Sequence, residues 1–372
     1  MLIRHATAFV GGRFCENMEV RVHNGHVHEV GQGLDNGLYE DAIDLEGDFL
    51  LPGFVDAHIH AYRGHDAMQG EDAVRSMSRD LFRVGVAAFL PTTMSASAAD
   101  TAAAVGGIAQ VMREPEHNGA LVLGAHMEAP FLAENRCGAQ VKEFFCLPDT
   151  ARFQALCGGD TQAVRVITMA PELPGSEAFI RQVTAQGVRI SIGHTSATAA
   201  DCHHAADWGA TRVTHTFNAQ TPLHHREPGV PGAALTDDRL YTEMICDGIH
   251  LHPDVVRLLC RAKGAHKAVV ITDAMEAAGL PDGQYALGGQ PVFVENGAAR
   301  LQDGTLAGSV LTMRQAFINL LSWDIQPEAA VLMCTATPAD SVGEKLAGRI
   351  TAGAPAPLTR WSKDWKWKGI LA

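Results

Sequence analysis

The chain reads as an α/β fold: a TIM-like (β/α)8 barrel with a small β-sandwich module formed from the N- and C-terminal segments. Three observations predict it. Eight short apolar runs recur between amphipathic stretches, histidines and acids stand at the ends of those runs, and both termini carry strand patterning. A length of 372 residues suits one large barrel plus a small accessory module.

The first fifty residues supply LIRHATAFV and MEVRVHNGHVHEVG, and Asn24-Gly25 between alternating segments signals a hairpin. His26 and His28 then lie on a β-module among turn and strand residues, and read as solvent-facing. From Leu50 the texture changes. The apolar runs are GFVDAHIH, GVAAFLPTT, ALVLGAHME, AVRVITMAPE, GVRISIGH, ATRVTH, LYTEMICDGIH and KAVVITD. Eight βα units predict a closed parallel barrel. Helices are expected over Asp72–Val84, Ala98–Arg113, Ser176–Gln186, Ala197–Trp208 and Pro253–Lys263. Between the sixth and seventh runs, PLHHREPGVPGAALTDDR is rich in Pro and Gly and reads as a long functional loop. After about residue 340 the chain reads as strands returning to the N-terminal module. The expected division is 1–50 with 341–372 for the module and 51–340 for the barrel.

Composition excludes several functions. Lys+Arg 29 against Asp+Glu 42 gives a formal net charge of -13, which argues against nucleic acid and against an anionic membrane surface as partners. An anionic ligand therefore needs a local basic site. Eight cysteines without CxxC pairing read as reduced, mostly buried thiols, and the expected compartment is the cytoplasm. The N-terminal stretch lacks a secretory pattern, and no apolar run approaches the roughly 20 residues that cross a bilayer.

The chemistry lies at the run ends. Run one ends in His58 and His60, two apart and so on one face of a strand. Run three ends in Glu128, run five in His194, run six in His215, run seven in His250 and run eight in Asp273. In a (β/α)8 barrel these positions converge on one mouth. Three His or carboxylate ligands with an open position mark a catalytic metal site, and the early His pair provides for a second ion. Alone, His194 is as readily a hydrogen-bonded rim histidine as a ligand. Glu128 is harder to dismiss, because a carboxylate after VLGAHM needs a cation beside it. His126 shares its strand face but sits deeper, and is expected to pack behind the ligands.

PGFVDAHIH, HMEAP, GHTSAT, THTFNA, HHREPG, DGIH, VVITDAMEAAG and DGTLAGS, in this order and spacing, resemble the N-acetylglucosamine-6-phosphate deacetylase family of the amidohydrolase superfamily. The resemblance runs from about residue 50 to about 340. It implies that Glu128, His194 and His215 hold the principal metal, with His58 and His60 available to a second, and that Asp273 is the catalytic acid/base. It further implies a sugar-phosphate site formed by Ala139, Gln140, Asn218, Ala219, Arg226, Asp247, Gly248, Ile249, His250, Leu306, Ala307 and Gly308. The implied cofactor is a divalent metal, zinc on ligand type, one or two ions per subunit. The implied partner is a phosphorylated N-acetyl amino sugar, and the implied assembly is a homodimer. Gln140 departs from the His that many members carry there; Gln donates a hydrogen bond but carries no proton or charge.

On this reading metal-activated hydroxide attacks the acetyl carbonyl, and Asp273 takes the water proton and returns it to the leaving amine. His250 either assists at the carbonyl oxygen or binds a sugar hydroxyl. The main alternative substrate is N-acetylgalactosamine 6-phosphate or another N-acetylated hexosamine phosphate. Other amidohydrolase chemistry is the next alternative, D-aminoacylase-like or dihydroorotase-like; the latter usually presents a bridging Lys, and AVRVITMAPE has none. A metal-dependent sugar-phosphate sensor without turnover would have no use for Asp273.

Overall fold

The computed structural model describes residues 1–34, 41–114 and 119–371. All eight apolar runs form barrel strands. They are Phe54–Ile59, Val86–Thr93, a third strand in two pieces at Leu121–Val122 and Ala125–Met127, then Val164–Met169, Arg189–Ile192, Arg212–Val213, Tyr241–Ile245 and Ala268–Ile271. Neighbours in chain order pair in parallel. Their near-continuous apolar character follows from burial on both faces, by helices outside and packed side chains within.

Among the described residues the seam between the last strand and the first carries no ladder. Bonds to the Asp56 side chain and isolated backbone bonds join it instead. Thr272 donates its backbone N–H and its hydroxyl to the Asp56 carboxylate at 3.2 and 2.6 Å, and the Asp273 N–H donates to the His58 carbonyl at 2.9 Å. Asp56 is fully buried, and burial pushes its carboxyl up to about 7 against the opposing pull of the Thr272 bonds. The seam therefore holds the first and last barrel strands in fixed register.

The five expected helices form as Glu71–Phe82, Ala98–Arg113, Ser176–Thr184, Ala199–Trp208 and Pro253–Lys263. Ser97 and Thr198 cap two of them by accepting the backbone N–H of Asp100 and Asp201. The Pro/Gly-rich stretch departs from expectation, because its second half is a helix, Gly229–Thr236, with Gly229 to Ala234 buried. Pro231 is tolerated in its first turn, where no intrahelical N–H bond is made, and the small side chains let the helix lie close to the barrel. The loop proper is confined to about residues 221–228.

A second departure follows the last barrel strand. Gly283–Leu287, Gln290–Glu295 and Ala298–Arg300 make a three-stranded antiparallel sheet beside the barrel mouth. Leu287, Val292, Val294 and Ala299 pack there with Met94, Met275 and Ala307. Gly288-Gly289 and Asn296-Gly297 are its hairpin turns, with positive φ at all four residues, as the tight turns of twisted hairpins require.

The terminal segments form one seven-stranded sheet, with Leu358–Trp361 and Trp367–Leu371 joined to strands from the first fifty-two residues. At the opposite edge, Val27 exchanges backbone bonds with Gly353 and Ala354. The C-terminal segment thus reaches both edges and wraps the sheet over Ile3, Val20, Val22, Leu45, Leu50 and Leu358. No helix among the described residues is long and apolar enough to cross a membrane. All eight cysteines are free thiols.

Candidate active site at the barrel mouth

Backbone conformation at the strand ends aims the functional side chains. His194, His215 and Asp273 have φ of 46, 27 and 51°, a strained left-handed conformation that turns the chain out of its strand at the rim. Close packing enforces it. A Cβ on Gly308 would stand 2.9 Å from the Asp273 carbonyl oxygen, and one on Gly193 would stand 2.7 Å from Thr214 Cβ.

Glu128 is the hub. Its Oε1 lies 3.1 Å from His215 Nε2, 3.3 Å from His194 Nε2 and 3.4 Å from His58 Nε2, while Oε2 lies 3.2 Å from His60 Nε2. Asp273 Oδ1 stands 3.1 Å from His60 Nε2 and 3.4 Å from His58 Nε2. Two ligand trios result, Glu128/His194/His215 and His58/His60/Asp273, each with its donor atoms within 4.8 Å of one another.

Hydrogen bonding assigns the tautomers. His194 Nδ1 faces the Arg136 carbonyl at 2.9 Å, His60 Nδ1 faces the Thr92 carbonyl at 3.2 Å, and His58 Nδ1 faces Glu243 Oε2 at 3.1 Å. An acceptor can only receive, so each Nδ1 carries the proton and each neutral ring presents its Nε2 lone pair to the centre. There the lone pairs meet carboxylate oxygens and one another, with His194 Nε2 and His215 Nε2 only 3.1 Å apart. His58 Nε2 is buried without a hydrogen-bond partner. Lone pairs and anions converging on one point fit a divalent cation, whereas a dry cluster of this kind would repel itself.

Without an ion the same carboxylates draw a further proton onto the rings, and the neutral rings belong to the metal-bound state. Burial would raise the Glu128 carboxyl, yet the His58 charge and bonds to His194, His215 and His60 hold it well below the usual carboxylate range. Burial would lower His60, yet Asp273 and Glu128 hold its imidazole well above its ordinary value. His58 is raised in the same way, against burial, by Asp273, Glu128 and Glu243. The metal-free site therefore keeps protons at neutral pH that an ion must displace. Zinc titrated into metal-free protein is expected to bind more tightly at about pH 8 than at about pH 6, by up to about tenfold per pH unit for each displaced proton. Calorimetry in two buffers should show proton release, and a pH-independent affinity without release would contradict the assignment.

Behind the ligands lies a buried polar chain that sequence reasoning passed over. Arg212 pairs with Glu243 Oε1, while Glu243 Oε2 accepts from His58 Nδ1 and, at 3.0 Å, from the His215 backbone N–H. Its signal was present, since Arg212 and Glu243 are charges inside apolar runs, the same observation that singled out Glu128. His126 takes the supporting place expected of it, bonded through Nε2 to Thr168 Oγ1 at 2.7 Å. Burial, with the nearby His58 charge, holds its imidazole well below the ordinary value, hence neutral.

A cavity of about 460 Å³ opens above the trios. Twelve of the residues singled out from sequence line it: His60, Glu128, Ala139, Gln140, His194, His215, Asn218, Ala219, His250, Asp273, Leu306 and Gly308. His58 lies beneath the floor, fully buried. Asp247 does not line the cavity but accepts from His250 Nδ1 at 2.6 Å and from the Ile249 and His250 backbone N–H groups, so it orients His250. Gly248 forms the turn between them, Ile249 points outward, and Ala307 is packed in the accessory core. Arg226 is exposed outside the cavity, with its Nη1 2.7 Å from His225 Nε2. Gln140 is buried; it accepts from the Ser95 N–H at 2.7 Å, which fixes its amide orientation, and donates to Glu128 Oε2 at 2.5 Å. Its role in this geometry is to hold the Glu128 carboxylate. Met94, Asn135, Arg136, Cys137, Gly138, Leu287, Asp303 and Thr305 complete the lining and were not foreseen.

The amidohydrolase family model matches residues 49–369, the barrel together with the returning C-terminal strands. This chain belongs to the amidohydrolase family. Within it, the chain groups with the N-acetylglucosamine-6-phosphate deacetylases. It is 37% identical to that enzyme from Lysinibacillus sphaericus over 330 residues, covering 86% of this chain and 82% of the relative. It is also 37% identical to the N-acetylgalactosamine-6-phosphate deacetylase of Escherichia coli O157:H7 over 302 residues, covering 81% of this chain and 80% of the relative. A mutant N-acetyl-D-glucosamine-6-phosphate deacetylase from Mycobacterium smegmatis, solved with N-acetyl-D-glucosamine-6-phosphate, superposes with a TM-score of 0.92. Its identity to this amidohydrolase is 31%, covering 100% of this chain and 97% of that one.

Proposed function

We propose that this amidohydrolase removes acetate from N-acetylglucosamine 6-phosphate to give glucosamine 6-phosphate. The observation that carries the reading is the placement of Asp273, an acid held beside a cation-shaped cluster of imidazole lone pairs at the floor of a sugar-sized cavity. The relatives named above act on this substrate or its galacto epimer, and that supports the phosphorylated amino sugar as its class.

Glu128, His194 and His215 would hold a divalent metal, zinc on the chemistry of this N/O donor set, which would supply polarisation of the amide carbonyl and acidification of water. His58 and His60, with Asp273, offer a second position. Asp273 remains ionised: burial opposes it, but the His58 charge and the bond with His60 hold its carboxyl low. It is thus ready to accept the proton of the attacking water and to deliver it to the departing amine, which leaves poorly unless protonated. His250, fixed by Asp247, presents Nε2 toward the cavity to bind the substrate's carbonyl or a hydroxyl. Asn218, Ala219, Leu306 and Gly308 line the sugar. Leu223 and Ile249 are exposed large hydrophobic residues, which supports a homodimer that buries them. Free, largely buried thiols support a cytoplasmic setting.

The test is acetate release on a panel of N-acetylhexosamines with and without the 6-phosphate, together with an N-acetyl-D-amino acid. The 6-phosphates are expected to lead in kcat/KM by about 100-fold or more. Turnover of the amino acid alone would replace this reading with a D-aminoacylase-like one. The ratio between gluco and galacto phosphates decides the epimer, for which the two relatives are equally similar.

A further inference from the structure

We infer that Gln140 is a positioning residue that fixes the Glu128 carboxylate as a bridge between the two ligand trios, so that uptake of an ion by the second trio depends on it; this inference rests on the metal-site reading above. The two oxygens of Glu128 are divided between the trios. Oε1 lies 3.1 Å from His215 Nε2 and 3.3 Å from His194 Nε2, both of the principal trio, and 3.4 Å from His58 Nε2. Oε2 lies 3.2 Å from His60 Nε2 of the second trio. A carboxylate turns broadly about its last torsion, so a bridging setting has to be held from outside. Among the described residues the Gln140 amide is the one donor beyond the trios that reaches Oε2, at 2.5 Å.

Gln140 is itself clamped on every side. Its Oε1 accepts the Ser95 N–H at 2.7 Å, its Nε2 also faces Met94 Sδ at 3.5 Å, and its backbone N–H donates to the Cys137 carbonyl at 3.0 Å. On one flank the Val141 N–H donates to Ser95 Oγ at 2.6 Å, and on the other the Ala139 carbonyl accepts from Gln290 Nε2 at 2.6 Å. The loop after the third strand is thus tied to the end of the second strand and to the accessory hairpins. The residue type suits the task. With its oxygen turned to Ser95, Gln140 presents a donor and no lone pair to the centre, and its amide neither gains nor loses a proton at any working pH. One hydrogen bond pins Oε2 and leaves that oxygen a second lone pair for an ion. An imidazole, which takes up a proton beside an anion, would set a competing cation against the same oxygen.

Zinc titrated by calorimetry into metal-free wild-type protein is expected to fill two sites per chain. In Gln140→Met, which keeps length but removes the donor, the weaker site should lose affinity about 10- to 100-fold while the tighter site changes less than about threefold. Cobalt gives an independent readout, because two ions that share one carboxylate couple magnetically; the coupled signal of the wild type should give way to that of an isolated ion. Gln140→His restores a donor and should recover part of the loss. Thermal midpoints of the metal-free variants report on folding, and Gln140→Ala, which leaves room for water at the Ser95 N–H, carries the same reading should the methionine variant not fold. Unchanged affinities in a folded variant, equal weakening of both sites, or a single ion in wild-type protein would each overturn the inference and leave the principal site standing. Wild-type protein that took up no divalent ion would sink the metal-site reading itself, and this inference with it.

Discussion

Asp273→Asn is expected to remove turnover while sparing the metal. The substitution keeps shape and a ligand-competent oxygen but deletes the proton acceptor. General acid and base catalysis contributes about 10²–10⁴-fold, and here one carboxylate serves both halves of the proton transfer, so the fall in kcat should lie toward the upper end. Asp273 also sits with its Oδ1 3.1 Å from His60 Nε2, so its charge helps draw an ion to that trio. The principal trio does not include it. Metal analysis should therefore show at least one ion per chain in the variant. Retention of most activity, in any substrate of the panel, would remove Asp273 from the mechanism.

Arg212→Leu is expected to be the most damaging change remote from substrate. Arg212 and Glu243 are both fully buried inside the barrel, and deleting one member of such a pair leaves the other as an uncompensated charge, at a cost of about 3–5 kcal/mol. Glu243 also orients His58 and accepts from the His215 backbone, so the loss spreads to the ligand set. Denaturant titration of the metal-free protein should show the destabilisation, and Arg212→Leu combined with Glu243→Gln should recover part of it. A single variant within about 1 kcal/mol of wild type would mean that water or His58 satisfies Glu243 unaided.

Much of the site was legible because it follows strand ends. A residue that ends an apolar run in a βα repeat must appear at the barrel mouth, so His58, His60, Glu128, His194, His215, His250 and Asp273 could be read in order along the chain. The rim is different. Arg136 and Asp303 lie in turns whose course depends on the bonds they make, and nothing in NRCGAQ or QDGT states which way they fold. Arg226, implied by the resemblance, lies exposed in the loop before Gly229–Thr236 and outside the cavity within its own chain. The accessory hairpins had readable turns, Gly288-Gly289 and Asn296-Gly297, hidden within what resembled barrel sequence.

The sequence by itself determined the barrel, its strand order and the identity of the residues at its mouth, because hydrophobic period and run length are local properties that survive any tertiary detail. Only the tertiary structure decided what those residues do to one another. Glu243 and His58 are 185 positions apart, Asp56 and Thr272 216 apart, and Gln140 reaches back to Glu128 across a turn. A tautomer or a lone-pair direction is set by which acceptor lies within about 3 Å, and that proximity exists only once the barrel has closed.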